Sequence, residues 1–272
     1  MDVQTTLILG ATGSTGRRLT AILREAGHPV RAASRSGEVR FDWADPATWK
    51  PALAGATRLY LMAPDGVPVD PAFVAEATGQ GVRRVVLLSS RAIEVMGDER
   101  LLAAERTVRE SGAEWTVVRP DWFDQNFDEG FFRAPIMAGE LSLPLGEQHQ
   151  VFVDAGDIAA VAAAALTQDG HAGRTYEVTG PRALPFAEAL DIIGRATGRK
   201  IRFHGEPADY LAEQAAAGAP PAQAEAQAAA WAALRALGDA EPTDTVPHIT
   251  GRPAKSFESY AADAAARGAW RD

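Results

Sequence analysis

The sequence contains no cysteine. Disulfides, thiolate metal sites and a cysteine nucleophile are therefore excluded, and the redox compartment is left open. Clustered positive charge is also missing. Lys and Arg total 27 against 36 Asp and Glu, a formal net charge of −9, so no nucleic-acid surface is expected. No apolar run is long enough to span a bilayer, and no secretory leader is visible; a cytoplasmic location without membrane contact is expected. His149, His171, His204 and His248 lack metal-ligand spacing, and His28 sits in a Gly-His-Pro turn, so no metal is expected. What remains is 272 residues at 46% hydrophobic and 23% charged, enough for one large core or a core with a smaller lobe.

The most informative stretch is Thr6-Leu7-Ile8-Leu9-Gly10-Ala11-Thr12-Gly13-Ser14-Thr15-Gly16. An apolar strand enters a glycine-rich turn, and Leu19, Ile22 and Leu23 continue as a helix face. Gly10 suits a tight turn, Gly13 a close approach to a pyrophosphate, and Gly16 close packing of helix on strand. The loop from Gly10 through Thr12, Ser14 and Thr15 to Gly16 would offer backbone N–H groups to phosphates. The spacing is G-x-x-G-x-x-G, so the motif alone leaves open a glycine turn without a nucleotide. The second strand, from Pro29 to Arg35, ends in Ser34-Arg35-Ser36 where a carboxylate would favour an unphosphorylated ribose. A guanidinium with flanking hydroxyls suits a 2′-phosphate instead, which points to NADPH.

Strand and helix patterns then alternate. Val39–Asp42 reads as a short strand, and Asp45-Pro46 as a helix start. Leu59–Pro64 reads as a strand, Phe73–Ala77 as the beginning of a helix, and Arg84–Ser90 as a fully buried strand. A helix follows from about Asp98 to Ser111, then a strand over Trp115–Pro120. This order predicts an α/β fold with a doubly wound parallel sheet of the Rossmann type. Ligands in such sheets lie beyond the carboxyl strand ends. Met62, Ala63, Pro64, Ser89, Ser90 and Pro120 are thus expected beside the cofactor. Asp42 either accepts from an adenine amino group or caps a turn. Asp121 is the candidate catalytic carboxylate, and Trp122, Phe123 and Phe127 are candidates for packing a planar substrate.

These residues resemble the NmrA-like atypical short-chain dehydrogenase/reductases. The matching pieces are the glycine loop, Ser89-Ser90, Glu105 with Arg109-Glu110-Ser111-Gly112, Trp115–Pro120 and Phe123-Asp124-Gln125-Asn126-Phe127. Phe41–Trp49 and Thr250–Phe257 are more narrowly similar to bacterial relatives of the ergot-alkaloid reductases. That resemblance implies NADPH-dependent reduction of an iminium or conjugated double bond. The Tyr-x-x-x-Lys pair of ketone-reducing members is missing. The lysines are Lys50, Lys200 and Lys255, and none follows a tyrosine by four; by spacing to Glu105 the pair would fall at Gly97 and Leu101. An iminium carbon needs positioning more than a proton donor, in keeping with that loss. Glu105 itself is expected to make a structural contact.

Residues 1–150 are expected to form the dinucleotide-binding portion and 151–272 a smaller, substrate-facing portion on the same core. Val151–Asp154 reads as a strand, Asp157–Val161 as a helix returning to the main sheet, and Arg174–Thr179 as another strand. Leu184-Pro185-Phe186 should open a helix, and Lys200–Phe203 a strand. The alanine-rich run from about Asp209 to Leu237 reads as two helices broken at Gly218–Pro221, whose small side chains suit either close helix packing or a mobile lid over the pocket. The expected activity is hydride transfer from NADPH to a small planar electrophile, by a monomer or homodimer. The alternatives are a dinucleotide-sensing regulator and a non-redox cyclase or isomerase.

Overall fold

The computed structural model describes residues 4–271; the outer ends of the two expected portions, residues 1–3 and 272, lie outside them. β1 (Thr5–Leu9) leads into α1 (Ser14–Glu25), and β2 (Val30–Ser34) follows. β3 is only Val39–Arg40, shorter than the expected strand. Asp42 ends it by accepting from the Ala44 N–H at 3.0 Å, a local turn that competes with the ladder. Asp45 caps a single 3-10 turn at Pro46–Thr48, and α2 (Trp49–Leu53) continues. β4 (Ala56–Leu61) stops before Met62, so Met62-Ala63-Pro64 leave the sheet at its carboxyl edge. Then come α3 (Pro71–Gly79), β5 (Arg84–Leu88), α4 (Ile93–Met96), α5 (Glu99–Arg109) and β6 (Glu114–Pro120).

The chain next builds β7 (Trp122–Phe123), α6 (Arg133–Ala138), β8 (Glu140–Ser142) and β9 (His149–Val153). α7 (Ala155–Thr167) and β10 (Arg174–Val178) return to the main layers. Leu184 and Pro185 pair with β9 as β11 (Ala183–Pro185), so α8 (Phe186–Thr197) begins later than its sequence suggested. β12 (Arg202–His204), α9 (Pro207–Ala216), α10 (Pro221–Arg235), α11 (Thr245–Thr250) and α12 (Phe257–Ala266) complete the chain. The alanine-rich run divides into α9 and α10, because prolines at 220 and 221 start a new helix rather than extend one.

A seven-stranded sheet runs in the order β3-β2-β1-β4-β5-β6-β10, with every neighbour parallel. Its last strand comes from beyond residue 150, and α7 packs against α1. Alternation sorts the core. Leu7, Leu9, Leu59, Leu61, Val85 and Leu87 fill one face, while Ile8, Tyr60 and Val86 point to the other. A separate aromatic core gathers Phe127, Phe132, Phe152, Phe186, Phe257 and Tyr260, from both sides of residue 150. The strand order reverses between β1 and β4, which places an open crevice at their carboxyl ends.

Candidate active site

A cavity of about 970 Å³ occupies that crevice and extends under α10. The glycine loop forms one end. Gly10 turns at φ +64, and a Cβ there would lie 2.5 Å from Met62 Sδ. A Cβ on Gly16 would meet the Gly10 carbonyl oxygen at 2.2 Å, so α1 lies directly on the β1 turn. Gly13 precedes α1 with extended backbone and no side-chain cap. The first-turn N–H groups therefore lack intrahelical partners, and the helix dipole adds partial positive charge, an arrangement that fits a pyrophosphate. Thr15 lines this seat. The Ser14 hydroxyl is engaged elsewhere, donating to Glu129 Oε2 at 2.5 Å. Burial raises the Glu129 pKa, but Arg17, Arg18 and Ser14 outweigh it and bring it down to about 2.

Met62, Ala63 and Pro64, Ser89 and Ser90, and Asp121, Trp122 and Phe123 all line the cavity, each group at its own strand end. The adenosine-side candidates lie outside it. Thr12 borders a smaller groove of about 190 Å³ with Arg17, Gly37 and Glu38. Arg35 and Ser36 are exposed beyond β2, and Arg35 makes no hydrogen bond or ion pair among the described residues. The Ser34 hydroxyl is different. It is tucked under Gly37, buried and without a partner, so Arg35 and Ser36 alone face outward. Asp42 occupies its turn, and the loop is braced by Trp43 Nε1 donating to the Met62 carbonyl at 3.3 Å. Pro120 is buried inside β6, where its carbonyl accepts from the Arg91 N–H at 3.0 Å.

Phe127 requires a correction. It is wholly buried, packed edge-on to Phe152 and Phe257 at 5.5 and 5.1 Å, and is no part of the cavity wall. Burial of a phenylalanine stabilises by about 1.5–3 kcal/mol, and that is its role here. Within Phe123–Phe127 only Phe123 and Asn126 reach the cavity. Asp124 and Gln125 turn inward, and Gln125 accepts from the Ala155 N–H at 2.7 Å.

Two charged networks hold the strand ends. Glu105 is fully buried and accepts from Ser89 Oγ at 2.7 Å, from Arg109 at 2.7 Å and from Arg119 at 2.7 and 2.8 Å. Burial favours its neutral form, but the Arg119 and Ser89 contacts keep its pKa below the usual glutamate value. Ser89 therefore reaches the cavity wall with its hydroxyl already committed. Asp121 behaves oppositely. Burial pushes its carboxyl up to about 6, even with Arg91 at 3.2 Å and the Trp122 N–H at 2.9 Å. Arg91 is shared with Glu177 at 3.1 Å, which weakens its hold on Asp121.

At the far end the second alanine-rich helix, α10, lies over the pocket. Phe131, Trp231, Leu234 and Leu237 close it with Trp122, which stacks on Trp231 at a centroid distance of 5.5 Å. Trp231 is the one aromatic between Asp209 and Leu237 apart from Tyr210, and that isolation was the available signal. Arg91, Met96, Arg100 and Gln150 also line the wall. Leu101 does too, at the place expected for the lysine of the missing pair.

Comparison with known proteins agrees with this architecture. A family model described as NAD(P)H-binding matches residues 10–169. An NAD(P)H azoreductase of Xenophilus azovorans is 35% identical, over 97% of this chain and 99% of its own. A (4-alkanoyl-5-oxo-2,5-dihydrofuran-3-yl)methyl phosphate reductase of Streptomyces griseus is 35% identical over 94% and 96%. Agroclavine dehydrogenase of Claviceps fusiformis is 28% identical over 95% and 96%. Among solved structures, an NADPH-dependent quinone oxidoreductase from Escherichia coli superposes with a TM-score of 0.74 at 21% identity, covering 95% and 98%. The negative transcriptional regulator NmrA superposes at 0.71 with 15% identity, covering 97% and 96%. These two structural likenesses speak to the fold.

Proposed function

The chain belongs to the NAD(P)H-binding family, and on that premise we propose that it is an oxidoreductase of the NmrA-like atypical short-chain dehydrogenase/reductase group that reduces a small planar electrophile with NADPH. An iminium, a quinone and a conjugated C=C bond are the candidate acceptors. One observation carries the reading. The dinucleotide seat at α1 opens without a break into an aromatic chamber walled by Trp122, Phe123, Phe131 and Trp231. A dinucleotide sensor has no use for that chamber, whereas hydride transfer needs a dry, flat pocket beside the cofactor.

The residues divide the work. The α1 N-terminus would hold the pyrophosphate, and Arg35 with Ser36 the 2′-phosphate. Met62, Ala63, Ser90 and Phe123 would bound the nicotinamide, which when bound supplies a hydride. Asp121 keeps a proton into the near-neutral range, and can give it to a reduced carbonyl or quinone oxygen where the Tyr-x-x-x-Lys pair is missing. Ionised, it would instead favour a cationic acceptor. The test is NADPH oxidation with cyclic iminium, quinone and enone compounds, after NADPH binding is established by fluorescence. Turnover on one class supports the reductase. Tight NADPH binding without turnover on any of them favours the sensor.

A further inference from the structure

Among the polar side chains of the chamber wall, Gln150 is placed to meet a substrate. Gln150 lies on β9, two residues before Phe152, which pairs with Trp122 of β7. It is 3% exposed and lines the cavity. The Trp122 indole N–H donates to Gln150 Oε1 at 3.0 Å. An indole nitrogen has a hydrogen to give and no acceptor to offer, so this contact fixes which way the amide is turned. The oxygen faces Trp122, and the NH2 group is left free. Among the described residues Nε2 meets no hydrogen-bond partner, yet it is not sealed off like the orphaned hydroxyls of Ser34 and Thr15. Gln148, two residues earlier, gives its own NH2 to the Gly238 carbonyl. The wall therefore presents an amide donor whose own acceptor is already engaged.

We propose that Gln150 reads the substrate, and that the substrate carries a carbonyl oxygen conjugated to the bond being reduced, as a quinone or an enone does. This rests on the reductase reading above and narrows it. A cyclic iminium cation brings no acceptor to meet the amide, whereas a conjugated carbonyl does. In an enone, hydride adds to the β-carbon and the displaced π pair moves to oxygen. A proton then completes the saturated ketone, and two electrons have left the dinucleotide. A quinone gains the same hydride and proton to become a hydroquinone. Negative charge grows on oxygen in both cases, so the Gln150 hydrogen bond strengthens along the reaction.

The test separates this assignment from turnover. Menadione is titrated calorimetrically into the protein saturated with NADP+, in wild type, Gln150→Glu and Gln150→Met, with 3,4-dihydroisoquinolinium as the acceptor-free comparison. Glutamate keeps the acceptor for Trp122 and removes the donor; methionine removes both at similar length. Menadione affinity should fall about tenfold or more in both variants, with iminium affinity unchanged or improved in Gln150→Glu. Melting temperatures near wild type establish that Gln150→Met is folded if the glutamate variant is not. Unaltered menadione affinity, equal loss for both probes, or no menadione binding by wild type overturns the proposal. Retained binding with its predicted loss, but no NADPH oxidation, keeps the donor and removes the reductase.

Discussion

Arg91 lies 3.2 Å from Asp121, yet burial pushes the Asp121 carboxyl up to about 6, so below that pH the contact is a hydrogen bond to a neutral acid and above it an ion pair. Burial outweighs a guanidinium that also serves Glu177 at 3.1 Å and the Glu241 carbonyl at 3.3 Å. The acid form is the one able to protonate a reduced oxygen. kcat/KM for a quinone should therefore decline as pH rises through about 6, and Asp121→Asn should remove that limb and lower kcat/KM about 100-fold. A pH profile of both proteins decides it; a limb that survives in the variant belongs to another group. The native state also binds this proton more tightly than the unfolded chain. The stability it contributes is full below the ordinary aspartate range and lost as pH rises through about 6.

Glu105 titrates with the opposite sign. Its native pKa lies below the ordinary glutamate value, so its contribution is present above that value and lost as pH falls through the lowered one. Glu105→Gln leaves Arg119 facing an uncharged partner in a buried setting. The expected cost is about 3 kcal/mol at pH 7, read from urea unfolding. The penalty should shrink in acid, where wild-type Glu105 is itself protonated.

Arg35→Ala should weaken NADPH binding about tenfold or more and leave NADH nearly unchanged, since a ribose hydroxyl offers the guanidinium no charge. Fluorescence titration with both dinucleotides measures the ratio. Equal losses would discard the 2′-phosphate assignment.

Gly16→Ala places a methyl group 2.2 Å from the Gly10 carbonyl, a backbone atom with no side-chain freedom to move aside. The expected result is about 1–3 kcal/mol of lost stability together with weaker NADPH binding. Gly27→Ala is a useful comparison: a Cβ there meets no atom within 4 Å, but the backbone is strained at φ +77. It should lower the melting temperature without changing NADPH affinity.

Period and punctuation revealed the sheet. The short, β-branched apolar run Val85-Val86-Leu87, bounded by charged and small polar residues, suits a strand covered on both faces. The glycine loop was legible because its steric demands are local. Phe127 was misplaced for the converse reason: an aromatic after a strand end suits a pocket and a core equally, and only the fold of Phe152, Phe186 and Phe257 around it decides. Gln150 and Trp231 lie 28 and 109 residues beyond Trp122 in sequence. Their meeting depends on β7 pairing with β9 and on α10 crossing the chamber, and neither pairing leaves a periodic mark. Asp121 was visible as a residue, but its easy protonation follows from depth and from Arg91 being shared.

The cavity stops short of the turn that carries Arg35 and Ser36. That turn lies on an open edge of the sheet, bordered by solvent and by the Arg24–Glu38 pair at 2.6 Å, and the proposed recognition of the adenosine half would take place there. The walls that surround an acceptor come from other strand ends and from α10. On the proposed assignments, cofactor preference and substrate range would be independent traits of this scaffold. A changed 35–38 turn should then convert one dinucleotide habit into another while the chemistry proposed at Asp121 and Gln150 goes on undisturbed.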